Sequence, residues 1–130
     1  MPRSQFSYTR DQLMTLSRIV IEHAAKQGAT AADTEISEGV GQNVSVRQGE
    51  IETIEYNKDK GAGVTVYLGQ RRGHASTSDL SEAALKSAVE KALTIARYTA
   101  EDEAAGLPDA DRLAQTVPDL DLYHPWALSV

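Results

Sequence analysis

Cysteine is absent from the 130 residues, which excludes disulfides, thiolate metal sites and a cysteine nucleophile. Aromatic residues are scarce, 5% of the chain with a single Phe6 and a single Trp126, so a core must be assembled from Ala, Val, Leu and Ile. Positive charge is in short supply too. Thirteen basic residues face nineteen acidic ones, the net charge is −6, and the only adjacent basic pair is Arg71-Arg72. Phosphate backbones and anionic membranes are repelled by such a surface, and there is no basic stripe to displace counterions, so nucleic-acid binding is set aside. No apolar run approaches the ~18 residues that cross a bilayer. The start, Met1-Pro2-Arg3-Ser4-Gln5, lacks the apolar stretch of a secretion signal, which makes the cytoplasm the expected location.

What is present suits one domain. A chain of this length hides roughly 60–70% of its unfolded surface on folding, and 41% apolar residues suffice for a modest core. The first long segment, from about Thr9 to Gln27, predicts a helix. Thr9 and Gln12 have capping-box spacing, Leu13, Leu16, Val20 and Ala24 line one face, and Gly28 can take the left-handed conformation that ends it. From Ala32 to Thr77 the apolar period drops to two. Thr34-Ile36, Val44-Val46, Ile54-Tyr56 and Val64-Leu68 predict about four strands, separated by turn chemistry at Asn57-Lys58-Asp59-Lys60-Gly61 and Gly69-Gln70-Arg71-Arg72. Short connections favour an antiparallel meander. Ser81 then opens a second helix running to about Tyr98, with Leu80 and Leu85 at the spacing of a hydrophobic staple and Leu85, Ala88, Val89, Ala92 and Ala96 as its buried stripe. The fold class expected is α+β, with both helices on one face of the sheet and the other face left for water or a partner.

Past Thr99 the chain turns acidic and is broken by Gly106 and Pro108. From Val117 to Trp126 acidic and apolar residues alternate without a helix or strand period. Residues 1–100 are therefore read as the domain, and residues 101–130 as an acidic linker and irregular tail leading to a missing carboxy-terminal region. Leu120, Leu122, Tyr123 and Trp126 in that tail are expected to be mobile, or ordered by packing on the domain or on a second copy of the chain.

Catalytic signals are weak. His23, His74 and His124 stand about fifty residues apart, with no pair at metal-ligand spacing and none followed by Glu. Glu50 and Glu52 would share a strand face, with Glu55 opposite, and could divide acid and base roles, but a solvated sheet face explains them better. Ser76, Thr77, Ser78 and Asp79 near His74 point to alternate sides of an extended segment and suit turn and capping duties more than a triad. Gly61-Ala62-Gly63 precedes a strand, so it lacks the helix amino terminus that binds phosphate. No catalytic, cofactor-binding or metal-binding residue is assigned to this chain.

A broader resemblance rests on three stretches: Ser45-Val46-Arg47-Gln48-Gly49-Glu50-Ile51-Glu52, Gly61-Ala62-Gly63-Val64-Thr65-Val66-Tyr67, and Gly73-His74-Ala75-Ser76-Thr77-Ser78-Asp79-Leu80-Ser81. With Ala92-Leu93-Thr94-Ile95-Ala96-Arg97-Tyr98-Thr99, these resemble the amino-terminal domain of the TldD/PmbA family, the modulator of DNA gyrase family. The closing Pro118-Asp119-Leu120-Asp121-Leu122-Tyr123-His124-Pro125 is similar to its PmbA (TldE) branch. The resemblance covers about residues 8 to 126 of a family whose members are much longer. It implies a cytoplasmic metalloprotease assembly, active in peptide maturation and antitoxin degradation, in which a TldD subunit pairs with a PmbA subunit. It also implies that zinc or a similar divalent metal sits in the TldD-like partner on a His-Glu-x-x-x-His motif that no position here matches. The expectation is a non-catalytic amino-terminal domain or fragment of a PmbA-like subunit that shapes the subunit interface or the approach of an unfolded peptide. The alternative is a free-standing protein-interaction module without enzymatic activity. A small self-sufficient hydrolase remains only if the histidines converge.

Overall fold

The computed structural model describes residues 6–124, so Trp126, counted above with the tail, lies outside the described residues. The elements follow in the order α1 (Arg10–Lys26), β1 (Ala31–Arg47), β2 (Glu50–Leu68), β3 (Arg71–Thr77), α2 (Glu82–Tyr98), then a 3-10 turn at Ala110–Arg112. The helix signals act as the sequence predicts. The Thr9 hydroxyl accepts the Gln12 N–H and the Gln12 side chain accepts the Thr9 N–H, closing the capping box. The Ser81 hydroxyl accepts the Ala84 N–H, and Leu80 and Leu85 are both buried beside it.

The sheet is antiparallel, in the order β1-β2-β3. Three strands stand where the sequence predicts about four, because the four β-branched runs lie two each on β1 and β2, while β3 starts at Arg71-Arg72, which the sequence reads as turn. β1 has 17 residues and β2 has 19, a ribbon roughly 55–60 Å long. The turn expected at Asn57–Gly61 is instead the middle of β2, with Asn57 opposite Gly41, Asp59 opposite Gly39 and Gly61 opposite Ser37. Polar residues are tolerated there because Asn57 to Lys60 lie beyond the buried core and remain exposed. The chain reverses at Gln48 and Gly49, whose φ values of 53° and 84° are those of a two-residue hairpin loop of type I′.

Ala62, Val64 and Val66, alternating along β2, point at the helices and close the core with Val20 and Ala24 of α1 and Leu85, Ala88, Val89, Ala92, Leu93 and Ala96 of α2. Both helices thus cover one face of the sheet. On the other face the tail crosses the β2–β3 turn, where the Asp102 N–H donates to the Gln70 carbonyl and Glu101 lies 3.6 Å from Arg71. Further on, Tyr123 meets Phe6 with ring centroids 6.4 Å apart. Leu120, Leu122 and Tyr123 are exposed among the described residues.

Two local devices hold this arrangement. A Cβ on Gly73 of β3 would sit 1.9 Å from the Ala92 carbonyl oxygen and 2.6 Å from the Ala96 nitrogen, so β3 and the α2 backbone are in direct contact. The second is Glu38 of β1, whose side chain is only 2% exposed. Its carboxylate accepts the Ser7 and Tyr8 N–H groups and lies 3.3 Å from Lys58 Nζ, pinning the amino-terminal segment to the ribbon. The Ser7 N–H above all, then those of Tyr8 and the Lys58 ammonium, hold its pKa down at about 2 against an ordinary 4.5.

Gly73→Ala is therefore expected to destabilise the domain by about 3 kcal/mol, since helix or strand must move. Gly41→Ala, with nothing near the added methyl, should stay within about 0.5 kcal/mol. Denaturant unfolding of the two variants checks the difference. The lowered pKa of Glu38 has a signed consequence: its contribution is complete above the unfolded value and is lost as pH falls from about 4.5 toward 2. In that window wild type should lose stability more steeply than Glu38→Gln, and the Ser7 and Tyr8 amide NMR signals should move with a midpoint near 2.

Candidate functional site

The sequence-derived candidates do not come together. His23, on α1, places Nε2 3.3 Å from Glu90 Oε1 of α2. His74, on β3, faces the open side of the sheet with Nδ1 3.0 Å from Thr65 Oγ1, a bond that either ring tautomer can keep because the hydroxyl both donates and accepts. His124 lies in the tail, 3.9 Å from Asp121. Among the described residues no group of three His, Cys, Asp or Glu side chains could hold a metal ion.

The acidic cluster differs from its expected geometry. Between Ser45 and Val46 the register shifts, leaving Glu52 as an extra residue on β2. That bulge inverts the alternation beyond it, so Glu50, opposite Arg47, joins the face that carries Glu55, opposite Asn43. Glu52 reaches Arg47 at 3.4 Å. All three carboxylates are exposed and serve as a solvated surface. The Ser/Thr/Asp run is a relay of turn bonds into α2: the Thr77 hydroxyl accepts the Asp79 N–H at 3.1 Å, and the Asp79 carboxylate accepts the Ser81 N–H at 2.8 Å. The Ser81 bond lowers the Asp79 pKa, which marks a capping role.

What the fold does build is an available strand edge. Among the described residues β3 pairs with β2 on one side only, and a groove lies on either side of its plane. On the open face, Gly61 and Gly63 of the central strand leave a side-chain-free floor between Glu35 and Ser37 of β1 and His74 and Ser76 of β3, a groove of about 550 Å³. The His74 ring lies across Gly63, 3.4 Å from where a Cβ would stand. On the helix side, Ala75 and the α2 residues Ser87, Glu90, Lys91, Thr94 and Ile95 enclose a second groove of about 540 Å³. An added strand alternates its side chains above and below the sheet, so these grooves lie where both sets would go. The chemistry on offer is backbone hydrogen bonding. For its chemistry, Gly61-Ala62-Gly63 reads in the sequence as a failed phosphate loop; the signal it carries is two glycines two apart, which on a strand open one face.

The profile of the PmbA/TldA metallopeptidase domain 1 matches residues 32–96. The metalloprotease PmbA homolog of Haemophilus influenzae is 50% identical over 104 residues, 80% of this chain and 23% of that protein. The metalloprotease PmbA of Escherichia coli O157:H7 is 47% identical over 98 residues, 75% of this chain and 22% of that protein. The crystal structure of a proposed modulator of DNA gyrase from Bacteroides thetaiotaomicron superposes with a TM-score of 0.76 at 26% identity, covering 88% of this chain and 26% of that one. TldE from Thermococcus kodakarensis shares the fold, with a TM-score of 0.67 at 18% identity over 85% of this chain and 25% of that one. The chain thus spans about a quarter of the length of these relatives.

The dispersed histidines make a direct prediction. Chain purified without chelator and dialysed against zinc should retain well under one equivalent by elemental analysis, with no change in His74→Ala. A full equivalent lost on His74→Ala would mean that the histidines converge after all.

Proposed function

This chain belongs to the PmbA/TldD metallopeptidase family, and from that premise we propose that it is the non-catalytic amino-terminal domain of a PmbA-like subunit, with residues 1–100 as the domain and 101–130 as a tail. Its task is to hold extended, unfolded peptide along the free edge of β3 on the approach to a protease centre in a TldD-like partner. The observation that carries this reading is the edge itself, flanked by one groove on each side of the sheet. Main-chain hydrogen bonds to such an edge bind peptide with little regard for sequence, which suits a protease of unfolded substrates. The floor at Gly61 and Gly63 admits bulky side chains on one side, while Glu90 and Lys91 offer both charges on the other.

A metalloprotease name implies a metal. The described residues of this chain do not fit one: His23 is turned to Glu90, His74 to Thr65, and His124 lies in the tail. The metal, zinc or a similar divalent ion, is assigned in this proposal to the TldD-like subunit. The assembly is placed in the cytoplasm, acting in peptide maturation and antitoxin degradation. No helix of the described residues is long and apolar enough to cross a membrane.

Proline at the edge tests the reading. Successive residues of β3 direct their N–H groups alternately toward β2 and away from it, so one of Ala75→Pro and Ser76→Pro breaks the ladder and the other removes only an outward donor. The variant that stays folded is expected to bind a fluorescein-labelled unfolded peptide several-fold more weakly by anisotropy than the parent chain. Equal binding by that variant, or no peptide binding by the parent, would discard edge capture.

A further inference from the structure

The hydrogen-bond ladder fixes which groups the edge of β3 presents. The Thr30 N–H donates to the Tyr67 carbonyl at 2.8 Å, so Tyr67 and its alternates on β2 turn their backbone groups to β1. Val64, Val66 and Leu68 then bond β3 through Ala75, Gly73 and Arg71, and Arg72, His74 and Ser76 direct their N–H and carbonyl groups outward. The two ends of this edge differ. At the Arg72 end the chain leaving α2 passes close by. Arg71 donates to the Arg97 carbonyl and lies 3.6 Å from Glu101, and the Asp102 N–H donates to the Gln70 carbonyl. Thr99 and Ala100 stand with Arg72 and Tyr67 around a hollow of about 440 Å³. A strand added to β3 is stopped there. At the other end Ser76, Thr77 and Ser78 border the open-face groove.

We propose that this edge receives the carboxy-terminal end of an extended polypeptide, antiparallel to β3, with the terminal carboxylate on Arg72. The proposal rests on the reading of β3 as a peptide-binding edge and adds direction and a terminus to it. β3 runs away from the β2–β3 turn, so an antiparallel strand arrives at the turn with its carboxyl end. There the Arg72 side chain, on the open face beside Tyr67, has no hydrogen bond or ion pair among the described residues. Arg72 thus offers a carboxylate both its outward N–H and a guanidinium, whose planar fork matches two carboxylate oxygens. Asp102, which lines the same hollow, is turned to the Ala104 N–H, and Glu101 is engaged by Arg71. Near Ser76 the charge has the opposite sign. Glu35 of β1, likewise unpaired among the described residues, stands across the Gly63 floor and suits an amino group, while Lys60 in the same groove is turned to the Tyr8 ring. A parallel strand would meet like charge at both ends. Because residues 99–102 close the edge beside Arg72, a chain that bonds Arg72 ends there. The ligand class is a polypeptide with a free carboxyl terminus, extended over the residues that face Arg72 to Ser76.

Anisotropy with short peptides carrying fluorescein at the amino terminus compares one sequence as the free acid and as the carboxamide. The parent chain should bind the acid about tenfold more tightly, the scale of a charge-assisted hydrogen bond. With a net charge of −6 the domain as a whole favours the amide, so a preference for the acid is local to the site. Arg72→Gln, at an exposed position, should bind both forms alike, with the parent's affinity for the amide. Direction has its own readout: a spin label on the peptide's amino terminus should broaden the amide NMR signals of Thr77 and Ser78 and spare that of Arg72. Equal binding of acid and amide by the parent overturns recognition of the terminus and leaves edge capture standing. A preference that survives in Arg72→Gln, or a label that broadens Arg72 instead, overturns the proposal too. Failure of the parent to bind either form removes edge capture and this proposal with it.

Discussion

The contact between Gly73 and the backbone of α2 governs the rest of the domain. Because β3 carries no side chain at this point, the Ala92 carbonyl oxygen and the Ala96 nitrogen can lie directly on the strand. The small residues Ala88, Ala92 and Ala96 bring the helix down to the sheet, and Val64, Val66, Leu85 and Val89 are sealed from water beneath it. With few aromatic residues available, close approach replaces bulk as the source of burial. The same seating decides what stays open. Held flat over β2 and β3, α2 leaves the outer edge of β3 uncovered and forms the wall of the groove beside it.

The chemistry of the open surface is that of backbone and turn bonds. His74 is held by Thr65, Asp79 by the Ser81 N–H, and Glu38 by two amides and a lysine. These polar groups are occupied with local structure.

The far end of the β1–β2 ribbon, residues 39–47 against 50–59, follows a different logic from the core. Its strands continue well past the last helix, and their ladder satisfies the backbone without any layer to pack against. Apolar residues in such a place are not required by the domain. Their concentration on one face is completed by a bulge that rotates Ile51 into line.

Much of the fold was legible in one dimension, because helix signals are local. The capping box at Thr9, the staple of Leu80 and Leu85, and the alanine stripe of α2 depend on spacings of three to five residues, and each stands where the sequence puts it. The α+β class, the antiparallel order and the family resemblance follow from the same local patterning and from the stretches around Gly49, Gly63 and Gly73. Strand length and facing did not follow, because they are set by pairing between distant residues. Asn57 to Gly61 carry turn chemistry, yet pairing with the segment from Ser37 to Gly41 holds them extended. The single extra residue at Glu52 reverses which carboxylates share a face, and no periodicity shows a bulge before the partner strand is known. The edge of β3 follows from the pairing order of distant strands, and the groove on its helix side exists only once α2 has packed, so both were decided by the tertiary structure alone.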